Sequence, residues 1–222
     1  MKLNKIFKKK KIIIFLLDKN NNWIESFLRK NLSKFTKKYQ YKISKNIKLI
    51  KNKIVFVLSY TKILKDDFLQ KNKEVLILHP SNLPKDKGFA PVQYQVLRNK
   101  KLIHVSLIKA SKKVDAGPVA IKDKFFLKGH ELSNEIRKMQ ALAIFRVVNK
   151  FLKKYPNIAF KEQKGLGTFN KRRNYKDSEL KINKSLKSQF NLLRIVDNKL
   201  YPAFFRYRGN TYIIKIFKKN DT

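Results

Sequence analysis

Uninterrupted apolar runs, set between amphipathic stretches, lay out this chain. Residues 11–18 read Lys-Ile-Ile-Ile-Phe-Leu-Leu-Asp, and residues 54–58 and 75–78 repeat the pattern as Ile-Val-Phe-Val-Leu and Val-Leu-Ile-Leu. Short runs without polar alternation predict strands buried on both faces of a parallel sheet. Between them, Trp23, Ile24, Phe27, Leu28 and Leu32 recur at helical spacing behind Asn20–Asn22, and a short helix fits 65–70. A weaker strand is predicted at 41–43, and residues 44–53 carry no clear pattern. Farther on, residues 88–100 form a loop entering a helix through Val92, Val96 and Leu97. Residues 102–108 alternate as a strand with His104 beside Leu102 and Ser106. A long helix over 131–155 carries the stripe Leu132, Ile136, Met139, Ala143, Val147 and Phe151, and Pro156 stops it.

The carboxy-terminal part changes character. Residues 161–176 are polar, contain Gly165 and Gly167, and read as a linker. Beyond it come a helix carrying Leu186, Phe190, Leu193 and Val196, a strand at 201–207, a Gly209-Asn210 turn and a strand at 211–217. The expectation is therefore an α/β fold: a Rossmann-like, mostly parallel open sheet with a small carboxy-terminal helix-plus-hairpin unit. The main domain is expected at 1–160, and the linker with the small unit at 161–222.

Composition narrows the function classes. Without cysteine, disulfide, thiolate and zinc–cysteine chemistry are excluded. Lys8–Lys11 and the apolar run after them imitate a signal peptide, but the run is short, meets Asp18 at once and has no small-residue cleavage site. No stretch reaches the roughly 18 apolar residues of a membrane span, so a cytoplasmic protein is expected. The formal charge of +39 invites a nucleic-acid reading. The lysines are spread along the whole chain, however, and arginines, the better phosphate readers, are few. They read as solvated faces that would still attract anionic substrates, with nucleic acid kept as the alternative. No glycine-rich phosphate loop precedes the first helix and metal ligands do not cluster, which argues against a dinucleotide cofactor and a metal.

The chemistry-bearing residues lie at strand exits, where open α/β sheets bind ligands. His79 directly follows the apolar run at 75–78 and leads into Pro80-Ser81-Asn82-Leu83-Pro84; Gly88 and Pro91 follow, then Asp115 and Gly117. A histidine, whose unperturbed pKa is about 6.5, suits proton shuttling, and a carboxylate can orient it. Taken singly, His79 could equally cap a loop carbonyl and Asp115 could be a turn residue. His104 and His130 are read as structural.

These residues resemble the formyltransferase family, whose pattern runs Asn-x-His-Pro-Ser-x-Leu-Pro, then Gly-x-x-Pro, then Asp-x-Gly. His79, Pro80, Ser81, Leu83, Pro84, Gly88, Pro91, Asp115 and Gly117 match. Ile77 stands where the family's asparagine, a donor to the formyl oxyanion, is expected. The resemblance implies an enzyme that takes a formyl group from 10-formyltetrahydrofolate, with His79 and Asp115 as the catalytic pair and no metal. It implies that Ser59, Tyr60, Ile63 and Leu64, in the turn at 59–64, bind the folate. Arg172-Arg173, Asp177-Ser178, residues 189–194 and residues 201–205 look like the short terminal part of formyltransferases acting on nucleotide-linked amino sugars. A methionyl-tRNA formyltransferase would carry a longer terminal barrel. The implied partners are the folate donor and a small-molecule amine, with a homodimer compatible. Methionyl-tRNA formylation and a non-catalytic folate- or nucleic-acid-binding relative are the alternatives.

Overall fold

A computed structural model describes residues 10–20 and 23–219. Lys8, Lys9, Asn21 and Asn22, invoked above, lie outside them. The elements in chain order are β1 (Ile12–Leu17), α1 (Glu25–Asn31), β2 (Gln40–Ser44), β3 (Ile54–Leu58), α2 (Asp66–Gln70), β4 (Glu74–His79), β5 (Lys87–Gly88), α3 (Pro91–Leu97), β6 (Leu102–Lys109), β7 (Val119–Phe126), α4 (Ser133–Lys154), β8 (Phe169–Asn170), α5 (Leu186–Ile195), β9 (Ala203–Tyr207) and β10 (Asn210–Ile214).

Six strands form the central sheet in the order β2-β1-β3-β4-β6-β7. The pairings from β2 to β4 are parallel, and β6 and β7 close the sheet antiparallel. Side chains on a strand alternate between its faces, and three adjacent strands divide their apolar residues accordingly. Ile13, Phe15, Leu17, Ile54, Phe56, Leu58, Leu76 and Leu78 enter one core cluster, which α4 covers with Ile144, Val147, Val148 and Phe151. Ile14, Leu16, Val55, Val57, Val75 and Ile77 enter a second on the opposite face, under Phe68 of α2. Burial on both faces explains why these strands read as continuous apolar runs.

The sequence pattern gave no sign of β7. It is an edge strand, and Lys122, Asp123 and Lys124 interrupt its alternation, as charges commonly do on exposed edges. Asp123 faces α4, where Arg146 (2.9 Å) and Lys150 (3.5 Å) pair with it. The long helix also starts later than expected. Glu131 stands outside α4, its carboxylate accepting the backbone N–H groups of Lys128 (2.6 Å) and Gly129 (3.0 Å).

The small unit packs its own core from Leu180, Leu193, Val196 and Ala203. Its helix is tied to the main body by Arg194, which donates through Nη2 to Glu131 Oε2 (3.1 Å) and through Nε to the Glu131 carbonyl (3.0 Å). The hairpin β9–β10 turns one residue earlier than expected. Arg208 and Gly209 take the corner, both at positive φ, and Asn210 already belongs to β10. Among the described residues no helix is long and apolar enough to cross a membrane.

Candidate functional site

The carboxyl ends of β1, β3 and β4 deliver Asp18, Ser59 and His79 respectively. His79 shares its sheet face with Val75 and Ile77 by strand alternation, and Ser106 of β6 stands opposite it. The loop after β4 is held by a donor on every carbonyl from His79 to Pro84. The Ser81 N–H serves His79, Gln95 Nε2 serves Pro80, Ser106 Oγ serves Ser81 and the Lys85 N–H serves Asn82. Lys122 Nζ serves Leu83 and the Thr168 N–H serves Pro84. Because a buried carbonyl without a donor is costly, this complete set makes the loop a rigid mount for the histidine.

His79 is 5% exposed and Asp115 9%. Nδ1 of His79 lies 3.5 Å from Oδ1 of Asp115, and the other carboxylate oxygen accepts the Gly88 N–H at 2.8 Å. The opposite ring nitrogen, Nε2, is 2.7 Å from the carbonyl oxygen of Asp86. That oxygen can only accept, so Nε2 carries a hydrogen.

Two glycines are required by this geometry. A side chain at Gly88, where φ is +85°, would bring its Cβ to 2.7 Å from the Asn170 carbonyl. At Gly117 the Cβ would collide with the Lys109 carbonyl. Asp115 itself sits at φ +48°, a left-handed conformation that Asp tolerates better than most residues.

Residues 161–170 return across this edge of the sheet. Gln163 Nε2 donates to the carbonyls of Asp115 and Gly117, both at 2.8 Å. β8 pairs with β5 in parallel, setting Asn170 beside Gly88. The Thr168 hydroxyl accepts the Asp86 N–H at 2.8 Å. Nothing in the apolar pattern marks Gln163, Thr168 or Asn170, because Gln163 and Thr168 bond distant backbone groups and Asn170 donates through its amide to the Asp86 carboxylate.

The turn after β3 is only partly gathered to the site. Tyr60 and Leu64 pack, half-buried, on the cluster that contains Ile77. Ser59 accepts the Trp23 indole N–H at 3.0 Å. Ile63 is 77% exposed and stands apart from that packing. Asp18 fixes the turn: it is buried and accepts both the hydroxyl and the N–H of Thr61. Burial pushes its carboxyl up, but the Thr61 and Asn20 hydrogen bonds outweigh this and hold it below the usual aspartate value. Among the sequence features only its place at the end of β1 hinted at such a role.

Asn82 and the other two histidines have partners of their own. The carbonyl oxygen of the Asn82 amide accepts from Lys122 Nζ at 2.7 Å. His104 faces Lys124 across β7, and burial followed by the charges of Lys122, Lys124 and Lys100 holds it below the ordinary histidine value. His130 is exposed beside Lys218. Among the described residues no three His, Asp or Glu side chains converge as metal ligands.

A protein-family model described as formyl transferase matches residues 6–143. A methionyl-tRNA formyltransferase of Pelagibacter ubique is 28% identical over 186 residues; these cover 81% of this chain and 58% of that protein. The chain therefore spans little more than half the length of that relative. A solved methionyl-tRNA formyltransferase from Clostridium thermocellum superposes with a TM-score of 0.75 at 23% identity, covering 96% of this chain and 95% of that one. A sugar N-formyltransferase from a Shewanella species gives 0.67 at 14% identity, with 96% and 99% covered. HypX from Aquifex aeolicus, solved with tetrahydrofolic acid, gives 0.70 at 14%, with 92% and 37% covered. These structural likenesses establish a shared fold.

Proposed function

We propose that this chain, which belongs to the formyl transferase family, moves a formyl group from 10-formyltetrahydrofolate to the nitrogen of an amine. The observation that carries this reading is the approach of His79 Nδ1 to Asp115 Oδ1, 3.5 Å apart at the carboxyl edge of the sheet. In the reaction the amine lone pair adds to the formyl carbon, forming a C–N bond and a tetrahedral oxyanion. Collapse breaks the bond to the folate nitrogen. The amine gives up one proton and the folate nitrogen gains one. With Nε2 committed to the Asp86 carbonyl, Nδ1 is the ring atom that takes up and returns the proton, and Asp115 steadies the imidazolium. A contact longer than an ordinary hydrogen bond suits a pair that tightens when substrate arrives.

The folate lies, in this reading, along the face of Ile77, Tyr60 and Leu64, whose half-buried apolar surfaces suit a flat ring. Backbone groups of residues 59–64 meet its polar edge, and the exposed Ile63 covers it. Ile77 brings no donor to the oxyanion, so a backbone N–H or a water takes that part. Residues 1–160 form the catalytic domain, and 161–222 supply Gln163, Thr168 and Asn170 to its rim.

The acceptor proposed is the amine of a nucleotide-linked amino sugar. Near the rim, Arg172 lies 5.7 Å from the centre of the Phe89 ring and Lys87 Nζ 5.9 Å from that of Phe169, and both rings are exposed. Aromatic faces beside cations suit bases and phosphates. Methionyl-tRNA is the second reading, favoured by the relative named for it and by the charge of +39. Assays of formyl transfer to a panel of such sugars beside charged initiator tRNA separate the two. Product on the sugars alone is expected; product on tRNA alone reverses the ranking.

A further inference from the structure

Asp86 is held at every polar group beside the histidine, and the proposed reaction makes no use of its side chain. It is 3% exposed, at φ +62°. Burying a carboxylate is unfavourable unless it is paired and hydrogen-bonded, and this one is held from three sides. Oδ1 receives Arg98 Nη2 and, at 3.3 Å, Asn170 Nδ2; Oδ2 lies 3.7 Å from Lys100 Nζ. Its N–H is spent on Thr168 Oγ1. The remaining polar group, the backbone carbonyl, points at His79 Nε2 from 2.7 Å.

We propose that Asp86 is a positioning residue for His79: its clamped carboxylate fixes the left-handed backbone that holds its own carbonyl on Nε2. This rests on His79 being the proton-transfer group. The hydrogen bond at one imidazole nitrogen decides which nitrogen carries the proton in the neutral ring. Held this way, the ring keeps its hydrogen on Nε2, and every change of protonation falls on Nδ1, the nitrogen facing Asp115. The residue type fits both demands. Asp tolerates positive φ and brings the charge that Arg98 and Lys100 grip. The clamp also joins distant parts of the chain, since Arg98 caps the carboxyl end of α3 while Thr168 and Asn170 come from the carboxy-terminal segment.

The test reads the tautomer directly and needs no knowledge of the acceptor. The full chain, labelled with 15N-histidine, is examined by long-range 1H–15N correlation at a pH where the His79 ring is neutral. His79 is assigned by the loss of its signals in His79→Gln. The expected wild-type pattern is a protonated Nε2 and an unprotonated Nδ1. Asp86→Ala is expected to give a mixture of tautomers, and Asp86→Asn, which keeps acceptors for Arg98 and Asn170 and tolerates positive φ, to keep the wild-type pattern. In formyl transfer Asp86→Ala should lower kcat about tenfold or more, with KM for the folate donor little changed, in line with losses of residues that orient a functional histidine. A folded Asp86→Ala protein that keeps one Nε2–H tautomer overturns the proposal. So does a wild type whose neutral ring carries its hydrogen on Nδ1, a result that stands even if Asp86→Ala does not fold. Absent formyl transfer with the expected tautomers would count against the proposed reaction and leave the clamp in place.

Discussion

His79 Nδ1 and Asp115 Oδ1 face each other at 3.5 Å, while Asp115 Oδ2 is already occupied by the Gly88 N–H. The carboxylate, carried on a separate loop, is thus aimed by the same segment after β4 that holds the ring through the Asp86 carbonyl. Positioned acid–base groups typically contribute about 10²- to 10⁴-fold to rate. His79→Ala should therefore cost a factor in that range in kcat, and Asp115→Asn a comparable one. Initial rates should fall while the affinity for a stable folate analogue, measured by calorimetry, stays within a few-fold. A parallel loss of folate affinity would assign the pair to binding.

Ile77 sits two residues before His79 on the same face and packs among apolar neighbours. Placing an amide there would add a side-chain donor to the backbone N–H or water proposed to serve the oxyanion, and such donors are worth about 100- to 1,000-fold when removed elsewhere. Ile77→Asn should raise kcat, although misfit of the amide can offset roughly 1–3 kcal/mol of the gain. The direction of the change is the informative result. A wild type already fast, and slowed by this substitution, would mean that the backbone N–H or water suffices and that the amide disturbs it.

In the proposed reaction Asp18 would act at one remove from the chemistry, through the turn it holds. Without its carboxylate the Thr61 N–H and hydroxyl lose their partner, and the turn at 59–64 loses its anchor. Asp18→Ala should raise KM for the folate donor several-fold with little effect on kcat. It should also lower stability by about 1–3 kcal/mol, as for a buried hydrogen-bond network opened at one end. Equal losses in kcat and kcat/KM would place Asp18 in the transition state instead.

The junction between α4 and the carboxy-terminal unit should show in acid. Burial raises the Glu131 carboxyl, but the N–H groups of Lys128 and Gly129 outweigh it and bring the group to about 2 from an ordinary 4.5. A folded-state value below the unfolded one gives stability that is full above pH 4.5 and is lost as pH falls toward 2. The contribution is on the order of 3 kcal/mol. Denaturant melts between pH 6 and 2 should show that loss in the wild type and a much flatter profile in Glu131→Gln, which should be less stable at neutral pH. Identical profiles would remove Glu131 as the source.

Much of this was legible in the chain because burial writes itself into sequence. β1, β3 and β4 are packed on both faces and left unbroken apolar runs, and His79 could be placed at a strand's end from that alone. β7 left no such mark, being an edge strand with Lys122, Asp123 and Lys124 in its middle. The antiparallel closure by β6 was equally silent, since apolar alternation carries no strand direction. The surroundings of the pair were beyond reach for a different reason. Asp86 acts through its carbonyl and Gln163 through an amide, and Asn170 meets Asp86 across 84 positions. Such contacts have no period in the sequence.

The most direct measurement is single-turnover transfer of an isotopically labelled formyl group from 10-formyltetrahydrofolate, with amino-sugar nucleotides and charged initiator tRNA as acceptors, in wild type and His79→Ala. The wild type should move the label to an amine with release of one tetrahydrofolate per formyl group. His79→Ala should be at least about 100-fold slower while still binding the folate analogue. A wild type that moves no label to either acceptor class, or a His79→Ala protein as fast as the wild type, would contradict formyl transfer at the His79–Asp115 pair.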